Sequence, residues 1–219
     1  LESPDLVAVQ RLRQSTVTYI APAQLHIEGR KYGVLFFRLT AHNDAYLIEY
    51  PREKKFIYEE HGRSVEGIEG RVSPAMLARE SFFTAEYLNV PPRRIRKAEM
   101  TESHAVFEIL SRSGRVQRRV YVSGPSPWVI TRAERYDHNG DLVAVSEWSD
   151  YRAEDSFRYP AQIHVVFPKQ QAMIEFQLRK ITRGIQAEPA IFDLRARVKH
   201  LLSEKYVQIE PEEAPTLSE

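Results

Sequence analysis

Apolar and polar residues alternate along much of this chain, as in Gln24-Leu25-His26-Ile27 and Ile174-Glu175-Phe176-Gln177-Leu178. Successive side chains of a strand point to opposite faces, so a two-residue period predicts strands with one buried face each. The pattern gives strands over 17–20, 24–27, 34–39, 45–50, 56–60, 105–110, 116–122, 128–136, 142–148, 163–167 and 173–181. Their links are short, which forces antiparallel pairing. Turns are expected at Glu28-Gly29-Arg30, His42-Asn43-Asp44, Pro51-Arg52-Glu53, Ser113-Gly114, Gly124-Pro125 and Asn139-Gly140. Asn139-Gly140 gives the strongest signal, because a type I′ hairpin turn needs positive φ at both central residues.

The alternation stops once inside the chain. Ser73 caps a helix whose first turn holds Pro74, where a missing N–H costs nothing. Met76, Phe83 and Tyr87 then recur at about the helical period and Pro91-Pro92 ends the run, giving a helical insert over about 73–89. A second amphipathic helix is expected over 190–205, with Ile191, Leu194, Val198, Leu201 and Leu202 on one stripe that is buried against the sheet, docking to a membrane or partner being the alternative. Residues 206–219 are acidic and proline-containing, which predicts a disordered tail after a single domain over 1–205.

A sheet of about nine or more strands twists and curls rather than lying flat. The strand over 34–39 is apolar on both faces, with Val34 and Phe36 on one and Leu35, Phe37 and Leu39 on the other. Something must therefore cover the second face, and the two helices are the available covers. The expected class is mainly β: one large curved antiparallel sheet capped by helices. Between them lies either a packed core or a ligand cavity, and both readings stay open at this point.

Composition narrows the function. The 219 residues are 42% hydrophobic and 28% charged, enough for a buried core, and no apolar run approaches the roughly 20 residues that span a bilayer. Lys+Arg at 31 against Asp+Glu at 30 leaves a net charge of +1, which supplies no field to draw in nucleic acid. The basic run Arg93-Arg94-Ile95-Arg96-Lys97 lacks interleaved aromatics and reads as protection of an edge strand, with a weak contact to a membrane surface or membrane partner left open. The chain has no cysteine, which removes disulfides and thiolate metal sites. No Gly-x-Ser-x-Gly elbow, His-Glu-x-x-His pair, phosphate-binding glycine loop or dinucleotide fingerprint occurs, so no enzyme is expected. His26, His104 and His164 lie in strand patterns and read as structural. Asp137, Asn139 and Asp141 read as turn chemistry rather than a calcium loop.

The runs Tyr32-Gly33-Val34-Leu35-Phe36-Phe37-Arg38-Leu39, Tyr46-Leu47-Ile48-Glu49-Tyr50-Pro51 and Lys55-Phe56-Ile57-Tyr58, the last ending at Gly62, resemble the central strands of LolA/LolB-type lipoprotein carriers. Ser73-Pro74-Ala75-Met76-Leu77 stands where those carriers insert their lid. Tyr159-Pro160-Ala161-Gln162-Ile163, followed by Ile174-Glu175-Phe176-Gln177-Leu178, is similar to their closing strands. The likeness is one of pattern over most of 15–195, and the carriers' long N-terminal helix has at most a short counterpart from Ser3-Pro4-Asp5 to Leu12.

The resemblance implies an unclosed, half β-barrel with a helical lid and a C-terminal helix. It implies a periplasmic setting, with lipid anchoring to the outer membrane left open, and an apolar cavity for lipids or the acyl chains of lipoproteins. It calls for no catalytic residue, metal or cofactor, and for an arginine that fastens the lid, with Arg38 and Arg132 as the candidates. Candidate lipid-binding residues are Phe36, Leu47, Met76, Leu77, Phe82, Phe83, Tyr87, Trp128, Ile130 and Trp148. Each buried methylene contributes about 0.8 kcal/mol, so an apolar lining alone can supply affinity for a long chain. The alternative is an envelope scaffold or interaction lipoprotein of the same fold with no carried ligand.

Overall fold

A computed structural model of the chain describes residues 15–20, 24–42, 45–60, 77, 80–81, 90–124, 127–154, 157–182, 184, 186 and 188–210. The fold is mainly β, and its strands form two sheets rather than the one expected from the sequence. The first, of six strands, has the order β1-β2-β3-β4-β5-β13, built from Thr16–Ile20, Gln24–Lys31, Val34–His42, Ala45–Tyr50, Lys55–Glu59 and Val207–Gln208. The second, of seven strands, runs β12-β11-β10-β9-β8-β7-β6. In chain order its strands are Ile95–Met100, His104–Leu110, Val116–Ser123, Val129–Tyr136, Leu142–Glu154, Phe157–Phe167 and Ala172–Gln177.

One interaction accounts for part of this division. The chain after Tyr206, assigned to the tail by its composition, returns as β13 and pairs parallel with β5, Val207 opposite Lys55 and Gln208 opposite Phe56. The edge of β5 that a continuous sheet would offer to the next strand is thereby filled. Ile209 follows and is buried with Tyr50 and Ile57, so residues 206–210 belong to the fold; residues 211–219 lie outside the described residues.

The six-stranded unit shows how local sequence sets register. Gly29 is not in a turn but inside β2, directly opposite Phe37 on β3. The turn lies at Tyr32-Gly33, a two-residue connection with φ of 52° and 79°, which matches the type I′ requirement expected at Asn139-Gly140. The β3 strand buries Leu39 and Ala41 on one face and Thr40 on the other, so its second half is covered on both sides, whereas Val34, expected under cover, is 50% exposed. The cover on one side is helix α1, Leu194–Ser203, capped by the Asp193 side chain accepting from the Ala196 N–H at 3.0 Å. Leu194 and Leu201 pack on Leu47 of β4 and Phe56 of β5, with Val198 at the margin. Leu202, placed on the buried stripe by sequence, is exposed, and residues 189–192 form a 3-10 turn ahead of the helix. The helix is also clamped electrostatically. Arg197 donates to both oxygens of the nearly buried Glu49, at 3.0 and 2.6 Å, and Arg195 donates to Glu60 at 2.5 Å. The hydrogen bond that Arg197 donates to Glu49 is the main reason its guanidinium pKa is raised.

In the seven-stranded unit the basic run Arg93–Lys97 leads into β6, which is an edge strand, in keeping with the protective reading. Two of its hairpin turns share one geometry. Gly114 and Gly140 take φ of 83° and 92°, with their N–H groups donating to the Ser111 and Asp137 carbonyls. Asn139 does not take positive φ, because the Asp137 carboxylate captures the Asn139 and Asp141 N–H groups at 2.8 and 3.0 Å and draws the loop into a wider turn. Lys169 inserts its ammonium between Asp137 (2.7 Å) and Asp141 (3.2 Å), so the loop holds a cation from its own chain.

Candidate ligand-binding face

The register of β6 to β12 sorts side chains onto two faces of opposite character. One face carries Ala105 and Ile109 of β7, Val120 of β8, Ala133 of β9, Ser146 and Trp148 of β10, and Ile163, Val165 and Phe167 of β11, all buried. The other carries charges in a cross-strand ladder. Arg96 and Arg119 both donate to Glu108, whose carboxyl is held below the ordinary carboxylate range, chiefly by the Arg96 hydrogen bond. Burial pushes the Glu134 carboxyl up, yet hydrogen bonds from Tyr136 (2.6 Å), Arg132 (3.0 Å) and Tyr121 (3.2 Å) outweigh it and its pKa falls. Burial, reinforced by that carboxylate, raises the Tyr136 phenol to about 12. Arg132 reaches on to Glu147 at 2.8 Å, and Glu147 lies 3.7 Å from His164.

A helical pair of residues is fixed to the apolar face. Glu80 is 1% exposed, and its carboxylate meets Arg135 of β9 at 3.2 Å and Arg118 of β8 at 3.5 Å. Beside it the Trp148 indole N–H donates to the Ser81 carbonyl at 3.0 Å. A helix carbonyl bonded to a buried indole places the helical backbone directly over β10.

The same strands part to leave a hollow. The β9–β10 ladder ends at Arg132 opposite Glu147, after which β10 continues with β11 alone. A hollow of about 690 Å³ opens there, lined mainly from the charged face by Arg132, Glu147, His164 and Glu175, with Trp148 and Ile163 also reaching it. Tyr151 bridges the gap by donating its hydroxyl to the Ile130 carbonyl, and burial raises its phenol to about 12. Ser149 donates to Gln162 rather than to His164, and among the described residues no group of three or more metal-ligating side chains converges. The arrangement offers apolar surface and fixed charge, and among the described residues around it no nucleophile is paired with a base.

Comparison with solved structures relates the fold to known ones. A DUF1329 family protein from Desulfovibrio piger superposes with a TM-score of 0.54 at 13% identity, over 83% of this chain and 81% of its own. The two proteins share a fold. Likenesses extend to a domain from Vibrio parahaemolyticus described as an outer membrane lipoprotein-sorting protein (TM-score 0.48, 12% identity, 83% and 81% covered) and to a LolA superfamily protein from Nitrosomonas europaea (TM-score 0.42, 13% identity, 76% and 77% covered). No family model and no curated protein matches the sequence.

Within this fold the sequence-derived candidates scatter. Trp148 is buried on the apolar face at the hollow; Ile130 pairs with Val122 on that face and is partly buried; Trp128, 42% exposed, lies over Gly124 just ahead of β9. Leu47 is core beneath α1, and Phe36 shares its face of the six-stranded sheet. Leu77 is helical and partly buried. Met76, Phe82, Phe83 and Tyr87 lie outside the described residues, as does the short helix expected from Ser3 to Leu12. Among the described residues, the arginines suggested for fastening a helix pair within their own sheets. Arg38 pairs with Glu28 at 3.2 Å and Arg132 with Glu134 and Glu147, while Arg118 and Arg135 hold Glu80. Sequence reasoning passed over Glu80, whose partners Arg118 and Arg135 lie 38 and 55 residues away, so no local signal marks it.

Proposed function

We propose that this chain is a non-enzymatic carrier of lipids or lipoprotein acyl chains in the cell envelope, working in the periplasm. In this reading the strands curve into a half-barrel, the helical insert is its lid, and the acyl chain lies between them against the apolar face of the seven-stranded sheet. The observation that carries it is the helical segment at Glu80–Ser81, tied to an otherwise apolar face by two arginines and an indole. A helix that is only core needs apolar burial to stay in place, whereas polar ties at its backbone and carboxylate leave a cover that detaches as a unit.

The test is mass spectrometry of protein purified without detergent, followed by uptake of a fluorescent fatty acid after delipidation. Co-purified lipid and saturable uptake are expected. Absence of both would overturn carriage and favour a scaffold of the same fold.

A further inference from the structure

Arg118 and Arg135 are direct cross-strand partners on β8 and β9, on the apolar face, and each side chain is only 14% exposed. Like charges placed opposite each other on a sheet repel, the more so out of water, unless an anion sits between them. Glu80 supplies that anion from the helical segment, with its two oxygens shared between the guanidinium groups at 3.2 to 3.5 Å. Charge-assisted bonds of this kind settle at about 2.7–2.9 Å, so the carboxylate bridges the pair without reaching either at close range. Trp148, Val120 and Ala133 supply apolar surface on the same face.

We infer that Arg118 and Arg135 form an anion-binding site for the carboxylate or phosphate headgroup of an acyl-chain ligand, with Glu80 as the intramolecular occupant that the headgroup displaces. This rests on the carrier reading and deepens it: the ligand is an anionic amphiphile. The planar guanidinium fork recognises both headgroups bidentately. Arrival of the headgroup exchanges its own anion for the Glu80 carboxylate between the two guanidinium groups. A tail-less anion has the charge and lacks the apolar chain, so it competes poorly.

The experiment measures affinities of hexadecanoic acid and hexadecanol carrying one fluorophore, at a pH where the acid is ionised, for wild-type protein, Glu80→Gln and Arg135→Gln. Removing the internal competitor in Glu80→Gln is expected to raise the acid-to-alcohol affinity ratio by about tenfold, and Arg135→Gln to lower it by about as much. Inorganic phosphate is expected not to displace the bound acid. Should Glu80→Gln fail to fold, the ratio for Arg135→Gln decides. A ratio that neither substitution moves overturns the exchange while leaving carriage intact. Displacement of the acid by inorganic phosphate alone would make the site one for free anions. Failure of the wild-type protein to bind either amphiphile overturns carriage itself.

Discussion

Gly29 and Phe37 face each other across β2 and β3, and the Phe37 ring lies so close over the glycine that a Cβ there would fall 2.4 Å from a ring carbon. The ring fills the space a side chain would take, and the ladder shifts register at the next residue. Gly29→Ala is therefore expected to destabilise the chain by about 1–3 kcal/mol, as overpacking does. Denaturant unfolding checks this; unchanged stability would show that the ring moves aside freely.

The Arg197–Glu49 pair clamps α1 to β4 with a carboxylate that is almost wholly buried. Arg197→Leu leaves that charge with Arg38 alone, 3.9 Å away, and is expected to cost about 3 kcal/mol. The double variant Glu49→Leu with Arg197→Leu should recover most of the loss, because apolar burial replaces a desolvated ion pair. Additive losses in thermal unfolding would contradict this.

His26 titrates against the fold. Burial lowers its pKa below the ordinary 6.5, with Arg38 adding to the effect and Glu28 and Glu49 opposing it, while its Nδ1 lies 2.8 Å from the Thr40 hydroxyl. The unfolded chain binds a proton more readily, so this contribution to stability is complete above 6.5 and is lost as pH falls toward the lowered folded value. Unfolding free energy measured across that window should fall with acidification, and His26→Gln should flatten the slope. An identical slope in the variant would assign the acid sensitivity elsewhere.

Much of this architecture is legible in the amino-acid pattern, and the exceptions have physical causes. Eleven of the strands follow from alternation, and β4 falls at its expected bounds because Ala45–Tyr50 is flanked by strong turn residues. Gly29 was misread as a turn because the ring that requires it lies eight residues away, across the hairpin. The basic strand β6 escaped a hydrophobic pattern because an edge strand exposed along its whole length has no apolar face to show. Parallel pairing of β13 depends on a contact about 150 residues away, which no local signal encodes. The candidate site divides in the same way. Trp148 announced itself as a large aromatic in a strand, whereas the Glu80–Arg118–Arg135 cluster is assembled only by tertiary structure.

Ile130 pairs with Val122 on the apolar face and is only partly buried, so a charge there meets a bound chain before it meets the core. Ile130→Glu is expected to weaken fatty-acid uptake by about tenfold or more while leaving the β circular dichroism signal in place. Full uptake would remove this position from the binding surface.

Where an acyl chain lies on the protein decides between carriage and a scaffold without cargo. A fatty acid bearing a photoreactive diazirine near its tail, bound to the delipidated protein and illuminated, labels the residues it touches. The account predicts adducts on β7 to β10, centred on the face that holds Val120, Ala133 and Trp148. Saturable binding with labelling confined to residues 15–60, or no labelling above a non-binding control, would contradict it.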